Sequence, residues 1–224
     1  MTALVNPFMS FPAAAGSVTF VGSARGVSTG ATVDVSLPGG SAAADLAIVV
    51  AIGGNTATSV PSGFTGVSGA NPRVAGLSTA EIRAATKALS GTDISNGYVT
   101  CPADPYFNGI EYILFVVRGG SIDVSAAGDD VPFTSPDTVC VIPSVTTTAD
   151  NALLIGVTGG RTPGTSWGST PAGWTNDQAQ IGSYVSIWAG HRTVDTAGAS
   201  GSANVTNVGA ANKEYLGFAL AVKP

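Results

Sequence analysis

The chain has 224 residues, 30 of them glycine, a formal net charge of −5 and only 10% charged side chains. That length gives one large domain or two ordinary ones, with enough apolar material for a core that needs neither disulfides nor metal. No run of Lys or Arg occurs, which argues against nucleic acid and against an anionic membrane surface, since both demand clustered cations, and neither partner is expected.

Scarce charge and abundant Gly, Ala, Ser, Thr and Val suit short strands joined by Gly- and Pro-rich turns. In chain order, residues 1–15 come first and carry Phe8, Met9 and Phe11 between Pro7 and Pro12. The prolines disfavour a helix there. The expectation is an extended apolar arm, packed on its own domain or docked on a neighbouring subunit. The first basic residue is Arg25, so no secretory signal is expected. No apolar run reaches the ~18–20 residues that span a bilayer, so no membrane insertion is expected.

Beyond residue 15 the sequence repeats itself, which takes precedence over any local reading. Gly16-Ser17 returns as Gly120-Ser121, and Thr32-Val33-Asp34-Val35 as Thr138-Val139-Cys140-Val141. The apolar run from Asp45 to Gly54 returns between Asp150 and Gly160. Pro61-Ser62-Gly63-Phe64-Thr65 returns as Pro171-Ala172-Gly173-Trp174-Thr175, Val99-Thr100 as Val205-Thr206, and Glu111–Phe115 as Glu214–Phe218. Six anchors in one order, offset by 103 (111 to 214) to 110 (61 to 171), indicate duplication. The boundary falls at Arg118-Gly119-Gly120-Ser121, read as a short flexible joint, and so short a link implies that the two units touch.

Val33, Val35 and Leu37 alternate with Asp34 and Ser36, the spacing of a half-buried strand. Leu46–Ile52, Tyr112–Val117, Ala152–Val157 and Phe218–Val222 are short apolar runs bounded by Gly, Pro or Asp, which favours buried strands. Ser78-Thr79-Ala80-Glu81 resembles a capping box and Ile82–Leu89 is rich in Ala, so local propensity favours a helix. The counterpart Tyr184–Ala189 is strand-like, and the repeat favours a strand at both places. The expected fold is all-β: two tandem duplicated antiparallel β-sandwich (jelly-roll-like) domains, 16–119 and 120–224, after the arm at 1–15.

Little chemistry is legible. Cys101 and Cys140 lie in strand-like flanks and read as buried free thiols, not a disulfide framework. Gly164-Thr165-Ser166-Trp167-Gly168 matches the nucleophile-elbow pattern, with Asp177 and His191 following in hydrolase order. Prolines 163 and 171 bracket a loop there, and the three residues lie too close in sequence for the βα elements an elbow requires. Gly26–Gly30 matches the same pattern by chance. His191 is the only histidine, so the two- and three-histidine metal sites are excluded. Asp129, Asp130 and Asp137 read as a solvated turn or as oxygen ligands without EF-hand spacing. No nucleotide-binding motif and no pair of facing carboxylates stands out. No catalytic residue, cofactor or metal is expected.

The succession of an apolar Asp-led strand (Asp45–Gly54, Asp150–Gly160), a P-x-G-[FW]-T turn, a further strand (Ile82–Leu89, Tyr184–Ala189) and a closing Glu-Tyr strand (Glu111–Val117, Glu214–Val222) resembles a sandwich module of tailed-phage virion proteins. The resemblance implies a non-enzymatic structural or attachment part, such as a head decoration, spike or tail-fibre component, located in the virion. It implies a homo-oligomer, a trimer or pentamer, contacting other virion proteins. All three tryptophans fall in the second unit. Trp174 aligns with Phe64 and reads as core. Trp167 sits in a Gly/Ser/Thr/Pro loop, where it either caps the sandwich or offers a platform to a sugar ring. The expected contact set for a host-surface glycan or other partner is Trp167, Trp188, Arg161 and Arg192. A free carbohydrate-binding module or adhesin is the alternative, and a serine hydrolase built on Ser166 and His191 the remote one.

Overall fold

The computed structural model describes residues 16–54, 59–69, 73–74, 80–103, 109–128, 139–161, 166–182, 185–208 and 214–224. Phe8, Met9, Phe11, Asp129, Asp130 and Asp137 lie outside the described residues. The chain begins with β1 (Thr19–Ser28), β2 (Val33–Ser36), β3 (Leu46–Gly54), β4 (Thr65–Gly66), β5 (Arg73–Val74) and β6 (Ala80–Ala88). There follow a short helix α1 (Gly91–Asn96), β7 (Tyr98–Cys101) and β8 (Ile110–Arg118). After Gly119-Gly120 come β9 (Ser121–Gly128), β10 (Val139–Ile142), β11 (Thr146–Thr147), β12 (Ala152–Arg161) and β13 (Ser166–Trp167). The last strands are β14 (Thr175–Ile181), β15 (Val185–Val194), β16 (Gly198–Ala199), β17 (Ala203–Val208) and β18 (Glu214–Lys223). The protein is all-β, and every strand pair among the described residues is antiparallel. Among those residues no helix is long and apolar enough to cross a membrane.

Two large sheets dominate. One runs β1-β8-β3-β6-β4, with β5 also on β6; the other runs β14-β15-β12-β18-β9. They pack face to face over a single apolar core. Ile48, Val50, Ile52, Ile113, Phe115 and Val117 meet Ile155, Val157, Ile187, Leu216, Phe218 and Leu220 there. β3 lies over β12, β8 over β15, β6 over β18 and β1 over β14.

The outer face of each large sheet is covered as well. The β2-β7 pair places Val35, Val99 and Cys101 on Ala47, Val49 and Leu114. The β10-β17-β13 sheet places Ile142, Val205 and Trp167 on Leu154, Trp188 and Ala219. The order of layers is therefore small sheet, large sheet, large sheet, small sheet. That is the physical reason the long strands do not alternate in polarity. A sheet covered on both faces has no solvent side on which to place polar residues.

The link between the large sheets is tight, not a flexible joint. Gly119 has φ +77, and a Cβ on Gly120 would lie 2.6 Å from a Val222 methyl and 2.9 Å from the Lys223 carbonyl. Immediately before it, Arg118 donates two hydrogen bonds of 2.8 Å to the nearly buried carboxylate of Asp45. The Arg118 guanidinium beside Asp45 holds that carboxyl below the usual carboxylate range.

β6 is a strand, as the repeat indicates and against its local helical propensity. It pairs with β3 along its whole length, from Ala80–Gly54 to Ala88–Leu46, and tertiary pairing of that extent outweighs propensity. The helix lies one segment later. Ser90 caps α1 through a reciprocal box with Asp93, and Gly97, at φ 76, ends it in the left-handed conformation.

Candidate functional site

The structure does not assemble Trp167, Trp188, Arg161 and Arg192 into one contact surface. Trp188 is fully buried on the outer face of β15, under the β10-β17-β13 layer. It packs edge-on against Trp174, with ring centroids 6.0 Å apart at 71°, so it belongs to the core and is not available to a glycan. Arg192 lies with its guanidinium 5.3 Å from the Trp174 ring centre and donates to the Ser200 carbonyl. Trp167 is half-buried; its indole N–H donates to the Gln180 carbonyl at 2.9 Å, and its ring lies 6.5 Å from that of Tyr215. It thereby ties β13 to the edge strand β14. Arg161 ends β12, opposite Val185 and Glu214; its side chain lies outside the described set.

Asp177 and His191 do meet. Asp177 occupies the bulge of β14, where the register against β15 shifts between Asn176 and Gln178. Its carboxylate lies 2.7 Å from His191 Nδ1, and the imidazole stacks on Phe20 of the opposite sheet with centroids 3.8 Å apart. Ser166 belongs to the outer layer, opposite Val208 on β17, whereas His191 faces the inter-sheet core. The main sheet therefore separates the two. The pair acts as a seam clamp between β1 and the β14-β15 edge, together with a 3.0 Å hydrogen bond from Gln178 to Ser23.

Cys101 and Cys140 form no disulfide with each other, and both are buried. Burial, and then the nearby Asp34 charge, push the Cys101 thiol up to about 12, so it is inert near neutrality. Among the described residues no group of three or more His, Cys, Asp or Glu could hold a metal ion.

Two concave places carry more organised polar groups. The first, about 320 Å³, opens at the seam between the large sheets, where Val27 and Thr29 face Gln180 and Ile181. At its side Arg25 clamps the buried carboxylate of Glu111 through hydrogen bonds of 2.6 and 2.9 Å. Both carboxylate oxygens are thus engaged, and the pair reads as a support of the seam.

The second, about 180 Å³, lies in the outer layer of the first half, among the Ser62–Phe64 turn, Lys87 of β6, α1 and β7. Lys87 Nζ lies 2.8 Å from Asp93 Oδ1 and 5.9 Å from the Phe64 ring centre. Burial raises Asp93, but the hydrogen bonds from Lys87 and Ser90 outweigh it and bring the carboxyl down to about 2. Asp93 is therefore a carboxylate at neutral pH, set against the Lys87 side chain. Tyr98, 38% exposed, stands at the rim beside Asn96 and Thr100.

The sequence reading missed this second place. Its only signal was Ser90-x-x-Asp93 ahead of Gly97, a helix start and stop with no apolar periodicity between them. No family model, no curated protein and no solved structure matches the chain.

Proposed function

We propose that the chain is a tandem duplication of one sandwich-type unit, 16–119 and 120–224, serving without catalysis as a structural or attachment part of a larger assembly such as a tailed-phage particle. The observation that carries this reading is the shared core between the large sheets. Strand by strand, the order β1-β8-β3-β6-β4 corresponds to β9-β18-β12-β15-β14. Under that correspondence the facing pairs β1/β14, β8/β15 and β6/β18 join unlike strands, and β3/β12 joins like to like. That is the pattern of a two-fold, isologous contact. A doubled block of this kind is stiff and suits a part that works by shape.

Its long edges are blunted. β1 carries a bulge between Phe20 and Gly22, and β14 one between Asn176 and Gln178. Arg25 and Asp177 bring charge to the same two strands. Bulges and charges on edges oppose strand addition. Contacts in a trimer or pentamer would then run through side chains of the outer layers and through the arm bearing Phe8, Met9 and Phe11.

Light scattering across a concentration series, with mass spectrometry of particles purified from cultures that make the chain, tests the reading. A discrete oligomer present at a fixed ratio to the other particle proteins is the expected result. A monomer at every concentration, absent from particles, refutes it.

A further inference from the structure

We infer that the cavity between α1 and β7 binds a single neutral sugar ring. The inference goes beyond the assembly reading and is independent of it.

The cavity is built by the element that departs from the internal correspondence of the two halves. Between β6 and β7 the first half carries α1, whereas between β15 and β17 the second carries the short β16. α1 contributes no buried residue, and a helix of six residues has no stability of its own. The capping box, the Lys87–Asp93 ion pair and the half-buried Ile94 hold it, and Lys87 and Asp93 form part of the polar wall. In the second half the aromatic after the corresponding turn, Trp174, is only 8% exposed, whereas Phe64 is half-buried. The helix thus adds to the first half a concavity, where binding groups are grafted onto a rigid frame.

The chemistry of the lining selects the ligand. Tyr98 at the rim supplies exposed aromatic surface, which suits the C–H face of a pyranose, while the Phe64 ring lies beneath Lys87. The Asn96 amide and the Tyr98 hydroxyl make no hydrogen bond within the described residues, and Lys87 retains donors beyond the one given to Asp93. Amide, phenol and ammonium together offer both donors and acceptors to vicinal hydroxyls. Asp93 opposes an anion and Lys87 opposes a cation, so the site favours a neutral ligand. At about 180 Å³ the space falls below the ~300–1,000 Å³ of pockets that enclose drug-sized molecules. One ring fits, and the rest of a glycan would extend into solvent.

The test is NMR titration of the full chain with a panel of neutral methyl hexopyranosides and N-acetylhexosaminides, alongside methyl glucuronide, inorganic phosphate and adenosine. At least one neutral glycoside is expected to shift the Asn96 side-chain amide saturably, with a dissociation constant on the order of 1 mM. Tyr98→Ala and Asn96→Ala should each weaken binding about tenfold or more, and Trp167→Ala should leave it unchanged. Both side chains are exposed, so the variants should keep the parent circular dichroism and melting point. The proposal is overturned if no neutral glycoside gives a saturable shift, or if only a charged member or adenosine does. It is also overturned if binding survives both pocket variants within about twofold, or is lost in Trp167→Ala. A monomeric protein that binds the sugar would remove the assembly reading and leave this site standing.

Discussion

Truncating Phe115 tests whether the two large sheets share one core. Phe115 is fully buried in β8, opposite Ile48 of β3 and Ser23 of β1. Its ring lies 6.4 Å from that of Phe20, in the core that also holds Phe218 and Leu220. Phe→Ala at such a position costs ~3–5 kcal/mol, because the lost transfer energy is joined by a cavity that relaxes only in part. In a protein of this size each kcal/mol moves the melting temperature by ~2–4 °C, so a drop of about 10 °C is expected. The assay exploits an asymmetry in the chain: Trp167, Trp174 and Trp188 all follow residue 120, so tryptophan emission reports the second half alone. With a shared core, Phe115→Ala lowers the tryptophan transition as far as it lowers the circular dichroism transition, and the two remain coincident. A tryptophan midpoint that stays in place while the dichroism separates into two steps refutes the reasoning.

Gly217→Ala should abolish folding or lower the melting temperature by about 10 °C or more, since the new methyl would fall on the Val141 carbonyl oxygen of β10. Gly39→Ala, with nothing within 4 Å of its Cβ position, should melt like the parent, and equal effects at the two sites would contradict the layer order. Stability should also fall in acid. Asp93 is lowered to about 2 in the folded state against about 3.9 unfolded, so its contribution is complete above about pH 5, declines as the pH falls and is gone below about pH 2. Urea midpoints between those limits should decline less in Asp93→Asn than in the parent, and parallel curves would remove the Lys87–Asp93 pair from the account. Finally, a thiol-specific disulfide reagent at neutral pH should leave Cys101 and Cys140 unlabelled until the protein unfolds. Labelling of either within seconds under native conditions would contradict their burial.

Strand positions were the legible part of the sequence. The runs at 46–52, 112–117, 152–157 and 218–222 fall within β3, β8, β12 and β18, because apolar, β-branched segments bounded by turn residues have few other solutions. The same runs held a second message that the single-unit reading left unused. Ala47, Val49 and Ala51 alternate with Ile48, Val50 and Ile52, and every one is apolar. A sheet with a solvent face would show polar residues at one parity, so each large sheet had to be covered twice. Which surface covers which is a long-range fact that periodicity does not encode. The contact residues were harder still. Trp188 and Trp167 differ in burial because they occupy different layers, β15 and β13, and no local pattern marks a layer. Tyr98 was legible only as part of a strand and Asn96 carried no signal, because they share a hollow with Lys87 only after β6 and α1 are in place.

The layer order also limits where this molecule can act. The inner faces of the large sheets are spent on each other, and two of the edges are bulged and charged. The two outer layers, on opposite sides of the block, differ in chemistry. One presents α1, Tyr98 and a charge-balanced hollow; the other presents the Trp167–Gln180 tie, with Arg192 closed over Trp174. A polar hollow with unused donors keeps its groups free for a ligand, whereas indoles already bonded or overlaid have little left to offer one. A stiff block with two unlike outer faces can be held by one and bind through the other. Under the sugar-site proposal the ligand face would belong to the first half, whereas the tryptophan count in the sequence favours the second.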